Sequence, residues 1–262
     1  MAFLKCNDHI IHYEYLPKEG AKTIAFVNSL GTDFSIWDDV VNHLGQNYSI
    51  LRFNKRGHGL SEIPHEATSM QDYANDLLSL MDQLAIEKTH LVGLSIGGMI
   101  SVLFTSLYPE RIDKLVLSDT APVIGNEKDW NARIRIIEAK GIPFLSSGII
   151  ERWFAPNFIK SFPIATKGYQ NMLERTTTKG YSAACGAIRD ADLNNNLKQI
   201  QQPTLCVCGG EDQSTPTSLV KNMASYLKNG TYIEIEDTGH LPCVEKPEEF
   251  TNAILNFFDN GQ

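Results

Sequence analysis

No stretch of the chain approaches the roughly 18 consecutive apolar residues that a membrane helix needs, so no membrane association is expected. The amino terminus, Met1-Ala2-Phe3-Leu4-Lys5-Cys6-Asn7-Asp8, lacks the apolar core of a secretory signal. Basic residues are scarce: 23 Lys and Arg stand against 31 Asp and Glu, giving a net charge of −8. With no dense Lys/Arg cluster to offset that balance, nucleic acid is excluded as an expected partner. Cysteine is also sparse. Cys6, Cys185, Cys206, Cys208 and Cys243 are odd in number and scattered, without metal-ligand spacing. Cys206-Val207-Cys208 lies in an apolar run, where a strand would turn both thiols to one face as small hydrophobes. The expected setting is therefore the reducing cytoplasm, and no metal or cofactor is expected.

What the sequence does contain is an alternation of short apolar runs with helical stripes. Runs at 10–16, 23–28, 48–53, 90–94, 114–118, 204–208 and 231–235 have strand character. Helical spacing appears at 35–44, 68–84, 96–108, 218–227 and 247–258, with Thr68 as the expected N-cap of the second. A turn at Arg56-Gly57-His58-Gly59 follows the third run. Strand–helix alternation predicts an α/β fold with a mostly parallel sheet covered on both faces. The interval 122–194 breaks the pattern: it carries helical stripes at 133–139 and 149–154 but no strand. About seventy residues are too many for a plain loop. They are expected to form a helical cap inserted between two halves of a core, 1–121 and 195–262. No internal repeat, low-complexity tract or linker is visible.

Gly93-Leu94-Ser95-Ile96-Gly97 places a serine between an apolar strand and a buried helix. Glycines two positions to either side permit a sharp strand-to-helix turn that exposes the hydroxyl. Serine is a weak nucleophile and needs a base. His240, in Asp237-Thr238-Gly239-His240-Leu241-Pro242, follows the last strand and so falls at the same carboxyl edge as Ser95. His9, His12 and His43 are assigned to early elements away from that edge, His65 to a surface loop, and His90 to the far end of its strand. The acid that orients the imidazole is expected at Asp212, after the strand at 204–208. Asp119, at the end of the strand at 114–118, is its competitor, while adjacent Glu211 is expected to point elsewhere. An oxyanion hole needs two backbone donors; the amides of Ile96 and Leu30 are the candidates, Leu30 from the loop Asn28-Ser29-Leu30-Gly31-Thr32.

The strand–elbow–helix, the later Asp and the terminal Gly-His, in the chain order Ser, Asp, His, resemble the α/β-hydrolases over essentially the whole chain. A finer similarity is to the 3-oxoadipate enol-lactonases of the β-ketoadipate pathway in aromatic catabolism. It rests on Asn28-Ser29-Leu30-Gly31-Thr32-Asp33 with Trp37, Arg56-Gly57-His58-Gly59-Leu60-Ser61 and Gly239-His240-Leu241-Pro242-Cys243-Val244-Glu245. In the cap, Trp130-Asn131-Ala132-Arg133-Ile134, Arg152-Trp153-Phe154 and Ala187-Ile188-Arg189-Asp190 add to it. Asn28-Ser29 replaces the His-Gly of many wider relatives and favours the lactonase group. Asn54 stands where Asp is common, a change that bears on loop anchoring. The resemblance implies cofactor-free hydrolysis of an anionic enol-lactone through an acyl-enzyme on Ser95. A carboxylate substrate sits awkwardly with a net charge of −8, so a cap cation should receive it. Arg133 and Arg189 are the candidates, with Trp130 and Trp153 as apolar walls. A broad carboxylesterase, a cofactor-free perhydrolase or haloperoxidase-like enzyme, and a non-catalytic ligand receptor share this fold. The complete set of serine, acid and base argues against the receptor.

Overall fold

A strand that buries every side chain has no wet face and belongs in the middle of a sheet covered on both sides. The computed structural model, which describes residues 1–44 and 47–260, shows three such strands. In chain order the core begins with β1 (Ala2–Cys6), β2 (His9–Leu16), β3 (Thr23–Val27), α1 (Asp38–Leu44), β4 (Ser49–Phe53) and α2 (Met70–Gln83). It continues with β5 (Thr89–Leu94), α3 (Ile96–Leu107) and β6 (Ile112–Ser118). Six helices follow without a strand: α4 (Glu127–Lys140), α5 (Pro143–Trp153), α6 (Pro156–Ser161), α7 (Pro163–Arg175), α8 (Thr178–Asp190) and α9 (Asn194–Gln199). The core closes with β7 (Thr204–Gly209), α10 (Thr217–Tyr226), β8 (Gly230–Ile235), α11 (Pro242–Glu245) and α12 (Pro247–Asn260). The strands β3, β5 and β7 are buried along their whole length and β4 nearly so. No helix among the described residues is long and apolar enough to cross a membrane.

The strands form one eight-stranded sheet in the order β1-β2-β4-β3-β5-β6-β7-β8. From β4 onward every pairing is parallel, whereas β1 and β2 run antiparallel. This is the α/β-hydrolase architecture expected from the sequence. The register aligns the strand ends: Val27 lies opposite Gly93, Leu94 opposite Ser118, Ser118 opposite Val207, and Gly209 opposite Ile235. The loops that follow β3, β5, β6, β7 and β8 therefore open on a single edge. Strand order reverses between β3 and β5, and that reversal leaves a crevice at the same edge.

Three expectations need correction. The strand β1 was not anticipated; it forms a hairpin with β2 through Asn7, at φ 53. Because β2 runs antiparallel, its start lies at the carboxyl edge of the parallel strands. His9 and His12 are thus on the side of the sheet from which they were excluded, although the His12 ring bonds Asn54. The N-cap of α2 is Ser69, not Thr68: Ser69 and Asp72 satisfy each other's backbone amides in a capping box.

The cap helices are started by prolines whose missing N–H is harmless in a first turn: Pro143, Pro156 and Pro163. Asn126 and Thr177 cap α4 and α8 through their side chains. Within the cap α4 packs on α8 and α5 on α7. The cap touches the core at backbone distance, since a Cβ added to Gly180 would lie 2.2 Å from the carbonyl oxygen of Gly57.

Candidate active site

Ser95 occupies the step from β5 to α3 at φ 58, ψ −120, a conformation that side chains rarely adopt. The neighbouring glycines make it possible: a Cβ on Gly93 would meet Gly97 O at 2.4 Å, and one on Gly97 would meet Val27 O at 2.1 Å. The elbow is pinned to the end of β6, with Ser95 N donating to Ser118 O at 2.9 Å and Thr120 Oγ1 donating to Ser95 O at 2.7 Å. The amide of Ile96 stands at the N-terminus of α3, where the helix dipole favours negative charge.

His240 and Asp212 are joined. His240 Nδ1 lies 2.8 Å from Asp212 Oδ2, and both residues are buried. With Nδ1 engaged, Nε2 is the free face of the ring. Asp212 also accepts from Thr215 Oγ1 at 2.5 Å and from the amides of Ser214 and Thr215 at 2.7 and 3.2 Å. Burial pushes its carboxyl up, but the His240 ring and these donors outweigh burial and hold it below the usual range. Asp119 behaves oppositely. It is fully buried beside Asp212, and burial together with the Asp212 charge raises its carboxyl well above the usual range. Its oxygens are taken by Gly209 N at 2.8 Å and Ser118 Oγ at 2.5 Å. Asp119, Cys208 and Asp212 bring polar atoms within 4.8 Å of one another, but the histidine bond belongs to Asp212. The Ser95 hydroxyl forms no hydrogen bond among the described residues; a serine–histidine bond of this kind often tightens only with substrate.

The loop after β3 is held from below by the turn after β4. Gly31 N donates to His58 Nε2 at 3.0 Å, and Lys55 Nζ donates to Ser29 O at 2.5 Å and Asn28 O at 3.3 Å. Burial, aided by the Lys55 charge, keeps the His58 imidazole neutral, as its acceptor role requires. Arg56 anchors that turn in a buried ion pair, bonding Asp76 through Nε at 2.7 Å and Nη2 at 2.6 Å. Asn54 accepts from Phe34 N at 2.8 Å, a loop-anchoring role in keeping with its place in the sequence. Among the described residues, the amides of Leu30 and Ile96 donate to no protein acceptor, which leaves two free N–H groups beside the elbow. His58 and Lys55 are the residues that sequence reasoning missed, since their partners in this loop are backbone groups.

The cap closes over this loop. A Cβ on Gly31 would meet Leu173 at 2.6 Å, Tyr181 at 3.0 Å and Trp153 at 3.4 Å. Trp153 also accepts from Leu241 N at 3.2 Å through its carbonyl, so it borders the His240 loop as well. Trp130 is buried and spends its indole N–H on Ile124 O at 2.7 Å. The two cap arginines differ. Arg133 is half-buried over the Trp130 ring at 5.0 Å and forms no salt bridge among the described residues. Burial pushes the Tyr181 phenol and the Cys185 thiol up, and the Arg133 charge works against both rises. Arg189 is chelated by Asp190 through two bonds of 2.7 Å and donates to Asn131 at 2.8 Å.

Comparison with known proteins agrees with this fold. A family model described as the alpha/beta hydrolase fold matches residues 22–141. The chain is 33% identical to 3-oxoadipate enol-lactonase 1 of Acinetobacter baylyi, covering 93% of this chain and 91% of that protein. It is 27% identical to 3-oxoadipate enol-lactonase 2 of the same organism, covering 96% and 94%. The crystal structure of the enol-lactonase from Burkholderia xenovorans LB400 superposes with a TM-score of 0.96 at 29% identity, covering 99% of this chain and all of that one.

Proposed function

Since the chain belongs to the α/β-hydrolase family, we propose that it hydrolyses 3-oxoadipate enol-lactone to 3-oxoadipate through an acyl-enzyme on Ser95. The observation that carries the reading is the buried His240–Asp212 pair at the sheet edge that holds the strained Ser95 elbow. The relatives named above supply the substrate class.

His240 Nε2 takes the Ser95 proton as Oγ attacks the lactone carbonyl, and Asp212 stabilises the imidazolium that forms. The negative charge on the tetrahedral oxygen is received by the amides of Leu30 and Ile96. Collapse breaks the bond to the ring oxygen, which leaves as an enol with the proton from His240 and tautomerises to the ketone. Water then gives a proton to His240 and attacks the acyl carbon. The second collapse returns that proton to Ser95 and frees the acid. No step calls for a metal or cofactor. The substrate carboxylate is received in the cap by Arg133 rather than Arg189, because among the described residues Arg133 has no acidic partner whereas Arg189 is bound by Asp190. Trp130 and Trp153 give the pocket its apolar walls. All five cysteines are free and buried, which suits work in a reducing compartment such as the cytoplasm.

A comparison of kcat/KM on the enol-lactone, an uncharged lactone and a short aryl ester tests the substrate. Preference for the enol-lactone by about tenfold or more over both is expected, a discrimination worth ~1.4 kcal/mol. Equal turnover of all three points to a broad esterase instead. Ser95→Ala tests the mechanism and should lower kcat by roughly 10⁴–10⁶.

A further inference from the structure

Lys55 takes no part in the steps above, yet it is 1% exposed and its side chain ends on two backbone oxygens, those of Ser29 and Asn28. It forms no salt bridge among the described residues. Burial pushes its amine well below the usual lysine range, with the Asp33 charge alone working the other way. A buried amine of this kind is a poor choice for stability, because the interior replaces little of the solvation it gives up. A methionine would fill the same slot at lower cost. The reason for lysine lies in what it holds.

The carbonyl of Ser29 and the N–H of Leu30 belong to one peptide group. The described chain contains no cis peptide, so the two point in opposite directions across a planar unit. Whatever fixes Ser29 O therefore fixes the direction of the Leu30 N–H. A donor on the carbonyl oxygen also polarises the amide and strengthens its N–H as a donor. The next peptide, from Leu30 C=O to Gly31 N–H, is fixed in turn by His58 Nε2 at 3.0 Å. Above the loop, Leu173 and Tyr181 of the cap press on Gly31. Leu30 is thus flanked by two held peptide planes, and its own N–H remains free.

We infer that Lys55 is a positioning residue for the oxyanion donor at Leu30, gripping the back of the Ser29–Leu30 peptide so that its N–H faces the developing oxyanion. The inference rests on the reading of Ser95 as nucleophile and Leu30 as donor. It deepens that reading by assigning a function to a side chain that never touches substrate.

The test uses the full chain, a neutral aryl ester as substrate, and phenylboronic acid as a tetrahedral mimic that forms on a serine Oγ. Removing an oxyanion donor outright costs about 10²–10³ in kcat, so loosening one through Lys55→Met should cost about 10–100-fold, with KM changed by less than about threefold. Boronate inhibition should weaken by the same factor as kcat. A lysine that merely holds the fold would shift the denaturation midpoint and KM while leaving kcat and boronate affinity in place, and that result overturns the inference. Should Lys55→Met fail to fold, Lys55→Gln keeps a polar group in the slot and is expected to lose about tenfold or more in kcat. Full kcat in a folded Gln variant, or failure of both variants to fold, also overturns it. Ser95→Ala, measured alongside, separates the two claims. If Ser95→Ala is inactive while Lys55→Met keeps full kcat, only the role of Lys55 falls. If Ser95→Ala keeps wild-type turnover, the serine mechanism itself has failed.

Discussion

Two buried carboxyls lie beside one another below His240, and their surroundings drive them apart. The His240 ring, a threonine hydroxyl and two amides hold Asp212 below the usual carboxylate range, whereas burial and the Asp212 charge raise Asp119 well above it. A charged carboxylate both holds the neutral ring in its Nδ1–H tautomer and stabilises the imidazolium that forms. Asp212→Asn is therefore expected to lower kcat by about 10³–10⁴. Asp119→Asn keeps the shape of a side chain that makes no bond to His240, and the Ser118 hydroxyl at 2.5 Å can turn to accept from it. Its kcat should stay within about tenfold of wild type, since no transition-state charge is lost. Steady-state kinetics of the two variants on one substrate decides the matter, and the reverse ranking would hand the acid role to Asp119. The sequence pointed to Asp212 by its place after a late strand, and the structure joins that residue to His240. It could not reveal Lys55 or His58 as supports of the site. Their partners are backbone groups of Asn28, Ser29 and Gly31, and backbone partners leave no complementary side chain to read.

At the level of elements, strands were legible wherever burial made them uniformly apolar, as in β3, β5 and β7. β1 was missed because it is an edge strand whose exposed and buried positions alternate over five residues. The run between β6 and β7 was legible as helical, but α6, α7 and α8 were not individually visible. Their polar faces dilute the apolar stripe, and their starts are marked by proline or threonine rather than by a change in hydropathy. The contact of α8 with the turn after β4 depends on two glycines. Gly180→Ala should force the two backbones apart and destabilise the protein by about 1–3 kcal/mol. Gly148→Ala in α5 meets nothing within 4 Å and should stabilise it by about 0.5–1 kcal/mol. Melting temperatures moving in opposite directions would bear this out; a loss at both sites would put the strain elsewhere. A second link between cap and core is Glu245 at the end of α11, which accepts from Ala155 N at 3.0 Å and Gly239 N at 2.7 Å. Burial, assisted by the charges of Glu211 and Asp212, pushes its carboxyl from 4.5 up to about 7 against those two amides. The folded state thus binds this proton more tightly than the unfolded chain. The stability it confers is fully present below pH 4.5 and lost as pH rises to about 7. Glu245→Gln does not titrate and serves as the reference. The melting temperature of the wild type relative to that variant should be highest near the acid end, fall through this window and level off above it. A constant difference would mean that Glu245 titrates as an ordinary surface carboxyl.

For the whole molecule the governing number is the net charge of −8. On the proposed reading, an anionic lactone approaches an acidic protein against the long-range field, and on entering a partly desolvated pocket it also loses hydration. Only a local cation can offset both. The cation has to be free, because an arginine already chelated by a carboxylate presents a neutral pair. Arg189 is in that state: its guanidinium is bound by Asp190, whose own side chain is 65% exposed on the outer surface. Arg133 has no acidic partner among the described residues, lies over Trp130 and acts on Tyr181, which lies against the loop after β3 at Gly31. Its planar fork matches a carboxylate and keeps its charge at any working pH. Arg133→Met is therefore expected to raise KM for the enol-lactone by ~10–100-fold, equivalent to ~1.4–2.8 kcal/mol, while KM for a neutral aryl ester barely moves. Arg189→Met should leave both substrates alone. Measuring the two substrates on the two variants distinguishes the possibilities. If Arg133→Met weakens both substrates equally, the arginine holds α4 against α8 and binds no substrate. If Arg189→Met alone weakens the lactone, the Asp190 pair opens on binding and the anion is received at the other arginine. If neither variant discriminates, the carboxylate is not recognised in the cap, and the anionic-lactone reading loses its main electrostatic support.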